Sequence, residues 1–164
     1  MKILFLDIDG VLNAHEPFDR EVGSCRIYYD KVQRLNHVLR KTGAVIVLST
    51  AWRYLILNGN MKLSGFDWLL RSHGVLGNRI IGHTAADTIH DGTWNGVAGT
   101  WPIHNERGKQ ITGWLARNQE QVDYYAVVDD LDLGIREEKH PFVQTDGKVG
   151  LTDTNADELI ALLG

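Results

Sequence analysis

The sequence is short of cysteine, of long hydrophobic runs and of excess charge of either sign. One cysteine, Cys25, stands among 164 residues. An internal disulfide is therefore excluded, and a reducing compartment fits. Nothing near Cys25 in the sequence supplies an obvious base, which argues against a catalytic thiol. No apolar stretch approaches the roughly 20 residues needed to cross a bilayer. The apolar run after Lys2 is cut short by Asp7 and Asp9 and does not read as a secretory signal, so a cytoplasmic location is expected. The 17 basic residues are set against 21 acidic ones, for a formal net charge of −4. That balance gives no global electrostatic footprint for nucleic acid, although it leaves room for a local basic patch. There is no GxxxxGK[ST] phosphate loop, no histidine spacing of a zinc site, no internal repeat and no low-complexity segment.

What is present is ordinary for a globular chain, with 43% hydrophobic and 23% charged residues. The length predicts one domain spanning residues 1–164, large enough to bury about two-thirds of its unfolded surface. Short continuous apolar runs read as buried strands at residues 3–6, 44–48 and 124–128, with shorter strands expected at 79–82 and 142–145. Helical spacing of apolar residues predicts helices at 31–43, 66–73, 108–118 and 155–163, the first with Asp30 as its N-cap and Gly43 at its end. Residues 51–57 begin a helix or a structured loop. Residues 13–26 read as a loop or small flap. Residues 83–105, with Trp94, Trp101, His90 and His104, form an unusually long irregular stretch of the kind that often carries function. Its aromatics either anchor a folded loop or stack a substrate base. Strands alternating with helices predict an α/β fold with a parallel sheet, whose ligands bind at the carboxyl ends of the strands.

Polar chemistry collects at those ends. Asp7 and Asp9 follow the first strand, Ser49 and Thr50 follow the second, and Asp129, Asp130 and then Asp132 follow the fourth. Two carboxylates two residues apart on one side of a strand end repel unless a cation lies between them. Their hard oxygen atoms suit Mg²⁺. Lys109 begins the helix before the last acidic strand. Carboxylates, a hydroxyl and a lysine at one sheet edge are what phosphoryl transfer needs, with an aspartate able to act as nucleophile. Arg53 has two readings, a structural ion pair or a contact with a substrate phosphate. Trp52 beside it either packs in the core or shapes the site. Lys31, Arg34, Arg40 and Lys41 give the first helix a basic face, either simply solvated or facing a polyanion.

DIDGVL after an apolar strand resembles motif I of the haloacid dehalogenase (HAD) superfamily of phosphohydrolases. VIVLST resembles motif II, Lys109 motif III and VVDD motif IV, in that order along the chain. The resemblance implies a Rossmann-like HAD fold and a Mg²⁺-dependent phosphomonoesterase. Asp7 would be the nucleophile. Asp9 would be the general acid and then the base, with its backbone carbonyl facing the metal. Gly10 would permit the sharp turn beyond the strand, and Ser49 would hydrogen-bond the phosphoryl group. Lys109 would offset charge, and Gly10, Thr50 and Arg53 are candidate substrate-binding positions. Asp130 would hold the metal, with Asp129 as a second ligand or outer partner. Aspartate at the second position of DxD points to a phosphatase rather than a dehalogenase.

FLDIDGVLN, VLSTAWR and HPFVQTDGKVGLT look, more narrowly, like the small HAD domain of Swiss army knife RNA repair proteins. The short spacings between motifs imply a capless or minimally capped enzyme. Its open site would favour large substrates such as nucleic-acid ends. A repair role would then take partner proteins, since the chain carries no kinase or ligase signature. Two other classes combine similar residues. One is a receiver-like phospho-acceptor, although there the acidic pair comes first and the nucleophile later. The other is a HAD-fold binding module without turnover.

Overall fold

The computed structural model describes residues 1–14, 26–86 and 106–164. Cys25 and the expected flap fall outside those residues, as do Trp94, Trp101, His90 and His104. The two stretches on which the minimal-cap expectation turns, 15–25 and 87–105, fall outside them as well.

Five strands build one all-parallel sheet: β1 (Lys2–Leu6), β2 (Val45–Leu48), β3 (Ile80–His83), β4 (Tyr124–Asp129) and β5 (Phe142–Gln144). Their spatial order is β3-β2-β1-β4-β5. The central strands are apolar on both faces because both faces are covered. Alternate residues of β1 show this. Leu4 and Leu6 enter one core with Val32, Leu35, Val38 and Leu39. Ile3 and Phe5 enter the other with Ile111 and Trp114. Helices α1 (Tyr29–Thr42), α3 (Leu63–Ser72) and α5 (Asp153–Leu163) therefore cover one face, and α4 (Arg107–Asn118) covers the other. Between β2 and α3 lie a turn of 3₁₀ helix, Ala51–Arg53, and the short α2 (Tyr54–Leu57).

Helix ends account for the departures from expectation. Tyr28, extended at φ −90° and ψ 133°, is the N-cap of α1, and Asp30 sits within the first turn. There Asp30 accepts Lys31 Nζ at 2.8 Å and Arg34 Nη1 at 2.6 Å. Arg34 also reaches Asp153 at 2.9 Å, so much of the basic face of α1 is spent on ion pairs. Gly43 does end the helix, at φ 72°. Helix α5 starts earlier than its apolar pattern suggests, because Thr152 and Asn155 form a reciprocal capping box.

The chain order positions the site. From β1 the chain winds outward through β2 to β3, then returns past β1 to lay down β4 and β5 on the other side. The winding reverses between β1 and β4, the place where sheets of this kind bind ligands at their strands' carboxyl ends. Asp7 extends one strand and Asp129 ends the other.

Candidate active site

Backbone bonds fix the three strand ends before any side chain is considered. Asp7 N–H donates to the Val128 carbonyl at 3.0 Å, and Ser49 N–H to the Leu6 carbonyl at 2.9 Å. The chain then turns sharply. Val11 and Leu12 both donate to the Ile8 carbonyl, at 3.1 and 2.8 Å. Gly10 adopts φ +73°, a conformation that disfavours a side chain. A Cβ at Gly10 would also lie 2.5 Å from the Asp130 carboxylate carbon, so the bare glycine is what lets Asp130 pack against the turn.

Carboxylate oxygens of Asp7, Asp129 and Asp130 lie within 4.8 Å of one another. Asp7 and Asp129 are buried. Burial pushes the Asp7 carboxyl up to about 6, against the opposing pull of Arg107, the Ile8 N–H and the Thr50 hydroxyl. Burial also raises Asp129 well above the carboxylate range, and the neighbouring Asp7 charge adds to it while Arg107 opposes it. Among the described residues three carboxylates face one guanidinium, a balance that a bound proton or a further cation relieves. Hard oxygen donors at this spacing, with room made by Gly10, fit Mg²⁺.

Asp9 lies apart from that cluster. Strand β1 ends at Leu6, so Asp7 and Asp9 are not two positions of one extended strand. The Asp9 carboxylate turns to Trp52 Nε1, which donates at 2.9 Å, and to Asn13 Nδ2, which donates at 2.8 Å. Asn13 in turn accepts Gly10 N–H at 2.7 Å, closing the turn on itself. The expectation of a metal held between the Asp7 and Asp9 carboxylates is corrected on this point. The described acidic cluster is Asp7 with Asp129 and Asp130, and a metal role for Asp9 rests on its backbone.

Among the described residues the cation that meets this cluster is Arg107, not Lys109. Arg107 Nη1 lies 2.7 Å from Asp129 Oδ2 and 3.5 Å from Asp7 Oδ1, and it also donates to the Ser49 carbonyl. Lys109 is exposed on α4. The first turn of α4 is fixed against the segment after β4. Gly108 N–H donates to the Leu133 carbonyl at 3.2 Å, and His140 Nε2 bonds the Gly108 carbonyl at 2.9 Å. A Cβ on Gly108 would run into the Gly134 carbonyl. That close seat delivers Arg107 to the strand ends.

Ser49 and Thr50 stand where expected, at the end of β2. The Ser49 hydroxyl is fully buried and is the one buried side-chain polar atom without a hydrogen-bond partner among the described residues. Such an atom is costly to leave unpaired and marks a place for an acceptor from outside the chain. Thr50 hydrogen-bonds Asp7 and also caps the 3₁₀ turn by accepting Trp52 N–H. Arg53 is not placed toward a substrate. It is 1% exposed, and its guanidinium donates to the Thr50 carbonyl at 2.6 Å, the Ala85 carbonyl at 3.1 Å and Gln110 at 3.1 Å. It ties the end of β2 to α4 and to the segment after β3. Asp132 bonds locally, accepting Arg136 N–H at 2.9 Å.

No curated protein and no solved structure matches the chain. The family model described as the HAD domain in Swiss Army Knife RNA repair proteins matches residues 3–156, nearly the whole length. On that match and that fold, the chain belongs to the family of HAD domains found in Swiss Army Knife RNA repair proteins.

Proposed function

We propose that this chain is a Mg²⁺-dependent phosphomonoesterase that works through an aspartyl-phosphate on Asp7, with a nucleic-acid end or a nucleotide as substrate. The observation that carries this reading is the buried Asp7 carboxylate held among Asp129, Asp130 and Arg107, beside the unpartnered Ser49 hydroxyl. Asp7 and Asp130 would hold the metal together with the Asp9 backbone. Asp129 is engaged on both oxygens, by Arg107 at 2.7 Å and by Leu131 N–H at 3.0 Å, and serves as the partner that keeps Arg107 in place. A bound Mg²⁺ supplies charge neutralisation for the incoming phosphate and the carboxylates around it.

In the first step an Asp7 oxygen forms a bond to phosphorus and the ester P–O bond breaks. Asp9 gives its proton to the leaving oxygen. In the second step Asp9 takes a proton from water, the hydroxide forms a new bond to phosphorus, and the Asp7–phosphorus bond breaks to release inorganic phosphate. Trp52 and Asn13 fix the plane of the Asp9 carboxyl for both transfers. Ser49 donates to a phosphoryl oxygen, and Arg107 offsets the charge gathering on phosphate and Asp7. The family description, which speaks of RNA repair proteins, supports a nucleic-acid end as the phosphate carrier. Such a role would place the chain beside partner proteins that supply the other repair chemistries.

Steady-state hydrolysis of p-nitrophenyl phosphate and of 3′- and 5′-phosphorylated oligonucleotides, with Mg²⁺ and with EDTA, tests this. Asp7→Asn should abolish turnover and phosphoenzyme formation alike. With a good leaving group that needs no acid, Asp9→Asn should give one stoichiometric burst and then stall with Asp7 phosphorylated. Full turnover in either variant, or turnover indifferent to EDTA, would sink the mechanism.

A further inference from the structure

The segment HPFVQTDGKVGLT, singled out in the sequence, has no part in the chemistry above. It nonetheless reaches both halves of the site. Thr145, buried directly after β5, donates its hydroxyl to the Gly10 carbonyl at 2.7 Å and its N–H to the Asp129 carbonyl at 3.0 Å. Gln144 Nε2 donates to the Asp130 carbonyl at 2.9 Å, and its own oxygen is held by Arg136 Nη1 at 2.7 Å. Beyond them Asp146 and Gly150 close a small antiparallel bridge. Leu151 N–H then donates to the Val11 carbonyl at 2.8 Å. Gly150 packs so closely that a Cβ there would lie 2.8 Å from the Asn13 carbonyl and 3.0 Å from that of Val11.

One short loop thus fastens the turn after β1 and the acidic end of β4 to each other by backbone acceptors. Nothing else about β5 requires this, since its ladder to β4 is already made through residues 142–144. The consequence is geometric. Asp7 precedes the Gly10 turn and Asp130 follows β4, so their separation depends on how these two backbones are held. Side chains that fix ligand-bearing segments without touching the metal typically change metal affinity by about 10–100-fold when removed.

We propose that Thr145 and Gln144 are positioning residues, which set the spacing of the Asp7 and Asp130 carboxylates for the divalent cation. This rests on the metal reading given above. The test uses Mg²⁺ alone, titrated into the full chain by isothermal calorimetry, with hydrolysis measured separately against Mg²⁺ concentration. Thr145→Val keeps the shape and removes the donor, and should weaken Mg²⁺ binding about tenfold, whereas Thr145→Ser should restore it. Gln144→Met, at an exposed position, should weaken binding in the same direction without loss of folding. In both weakened variants the Mg²⁺ requirement for hydrolysis should rise while kcat at saturating Mg²⁺ stays within about threefold, the split expected when metal affinity rather than chemistry is altered. A loop that serves stability alone would lower the melting temperature and leave the affinity of the folded protein unchanged. Unchanged affinity in folded Thr145→Val overturns the proposal. If that variant fails to fold, unchanged affinity in Gln144→Met overturns it. Absence of Mg²⁺ binding by the unaltered protein overturns the metal reading itself and this proposal with it.

Discussion

Replacing Arg107 and Lys109 separately by methionine distinguishes the cation that the structure places in the site from the one the sequence suggested. Each substitution removes one charge from α4 and keeps an unbranched stem of helix-favouring type. The Arg107 guanidinium is about one-tenth exposed and faces Asp129 at 2.7 Å and Asp7 at 3.5 Å. At an effective dielectric constant of about 20, a pair of unit charges 4 Å apart interacts by about 4 kcal/mol, and desolvation offsets much of it. Removing one member of a buried pair still typically costs about 3–5 kcal/mol, because the partner charges are left uncompensated. In the transition state the same group opposes charge on both phosphate and Asp7. Loss of one such fixed donor lowers kcat by about 10²–10³. Arg107→Met should therefore hydrolyse p-nitrophenyl phosphate at least about a hundredfold more slowly, and the metal-free protein should melt lower. Lys109→Met, altering an exposed side chain, should stay within about twofold of the parent. Arg107→Lys should fall between, since an ammonium restores charge but not the planar fork. Steady-state kinetics at saturating Mg²⁺, with melting curves as the folding control, read all three. A hundredfold loss in Lys109→Met together with near-parental activity in Arg107→Met would refute the assignment and return the role to Lys109.

Three other outcomes follow from the same geometry. Ser49→Ala should lower kcat by about tenfold or more through the lost phosphoryl contact. It should also raise the stability of the metal-free protein by about 1 kcal/mol, because the removed hydroxyl is buried and unpartnered. A denaturant titration showing clear destabilisation would contradict that hydroxyl's isolation. Gly10→Ala should lose measurable Mg²⁺ binding, since a φ of +73° disfavours alanine by about 1–2 kcal/mol and the new Cβ would displace Asp130. Calorimetry showing parental affinity in that variant would count against the close approach. Asp7, with its carboxyl raised from 3.8 to about 6, binds its proton more tightly folded than unfolded. Its contribution to stability is present in full below pH 3.8 and is lost as pH rises through 6, about 3 kcal/mol in all. The metal-free parent should thus lose more stability than Asp7→Asn between pH 4 and pH 7, and Mg²⁺ should restore more of it at pH 7 than at pH 5. Parallel pH profiles for parent and variant would show that Asp7 is not held this way.

Much of the sheet was legible because its strands are short apolar runs with polar residues at their ends, and runs buried on both faces carry no competing pattern. The strand-end residues Asp7, Ser49, Thr50, Asp129 and Asp130 came with it, since a parallel sheet gathers its carboxyl ends at one edge. Helix-borne residues were harder. Arg107 and Lys109 are two residues apart, about 200° around a helix, so only one can face the sheet. The signal was in the sequence. Arg107, Ile111 and Trp114 recur at i, i+4 and i+7, and Ile111 and Trp114 are buried in the core beneath β1. Lys109 is off that face. Arg53 misled for a different reason. Its position after β2 fits a phosphate contact, but its donors go to backbone carbonyls and to Gln110, 57 residues on. The Trp52 bond to Asp9 spans 43 residues and no local pattern announces it. Asp30 was misplaced as a cap because the helix begins one residue before it, and its carboxylate turns to Lys31 and to Arg34 one turn on.

The placement of Asp9 bears most directly on whether the chain turns substrate over or only holds it. A receiver-like phospho-acceptor needs a nucleophilic carboxylate, a metal-holding acidic pair, a hydroxyl and a cation. A silent binding module needs no more. All of those needs are met by Asp7, Asp129, Asp130, Ser49 and Arg107 without Asp9. An additional carboxyl beside such a cluster adds repulsion and supplies nothing that binding needs. Here Asp9 stands outside the three crowded carboxylates and is held by one donor on each oxygen, from Trp52 and Asn13. That arrangement lowers the conflict with Asp7 while keeping a proton-transferring group one turn from the nucleophile. Orientation without direct participation in the charge cluster is what general acid–base catalysis asks of a carboxyl. On the function proposed above, the feature that would separate hydrolysis from storage is therefore the one carboxylate of DxD that stands outside the acidic cluster.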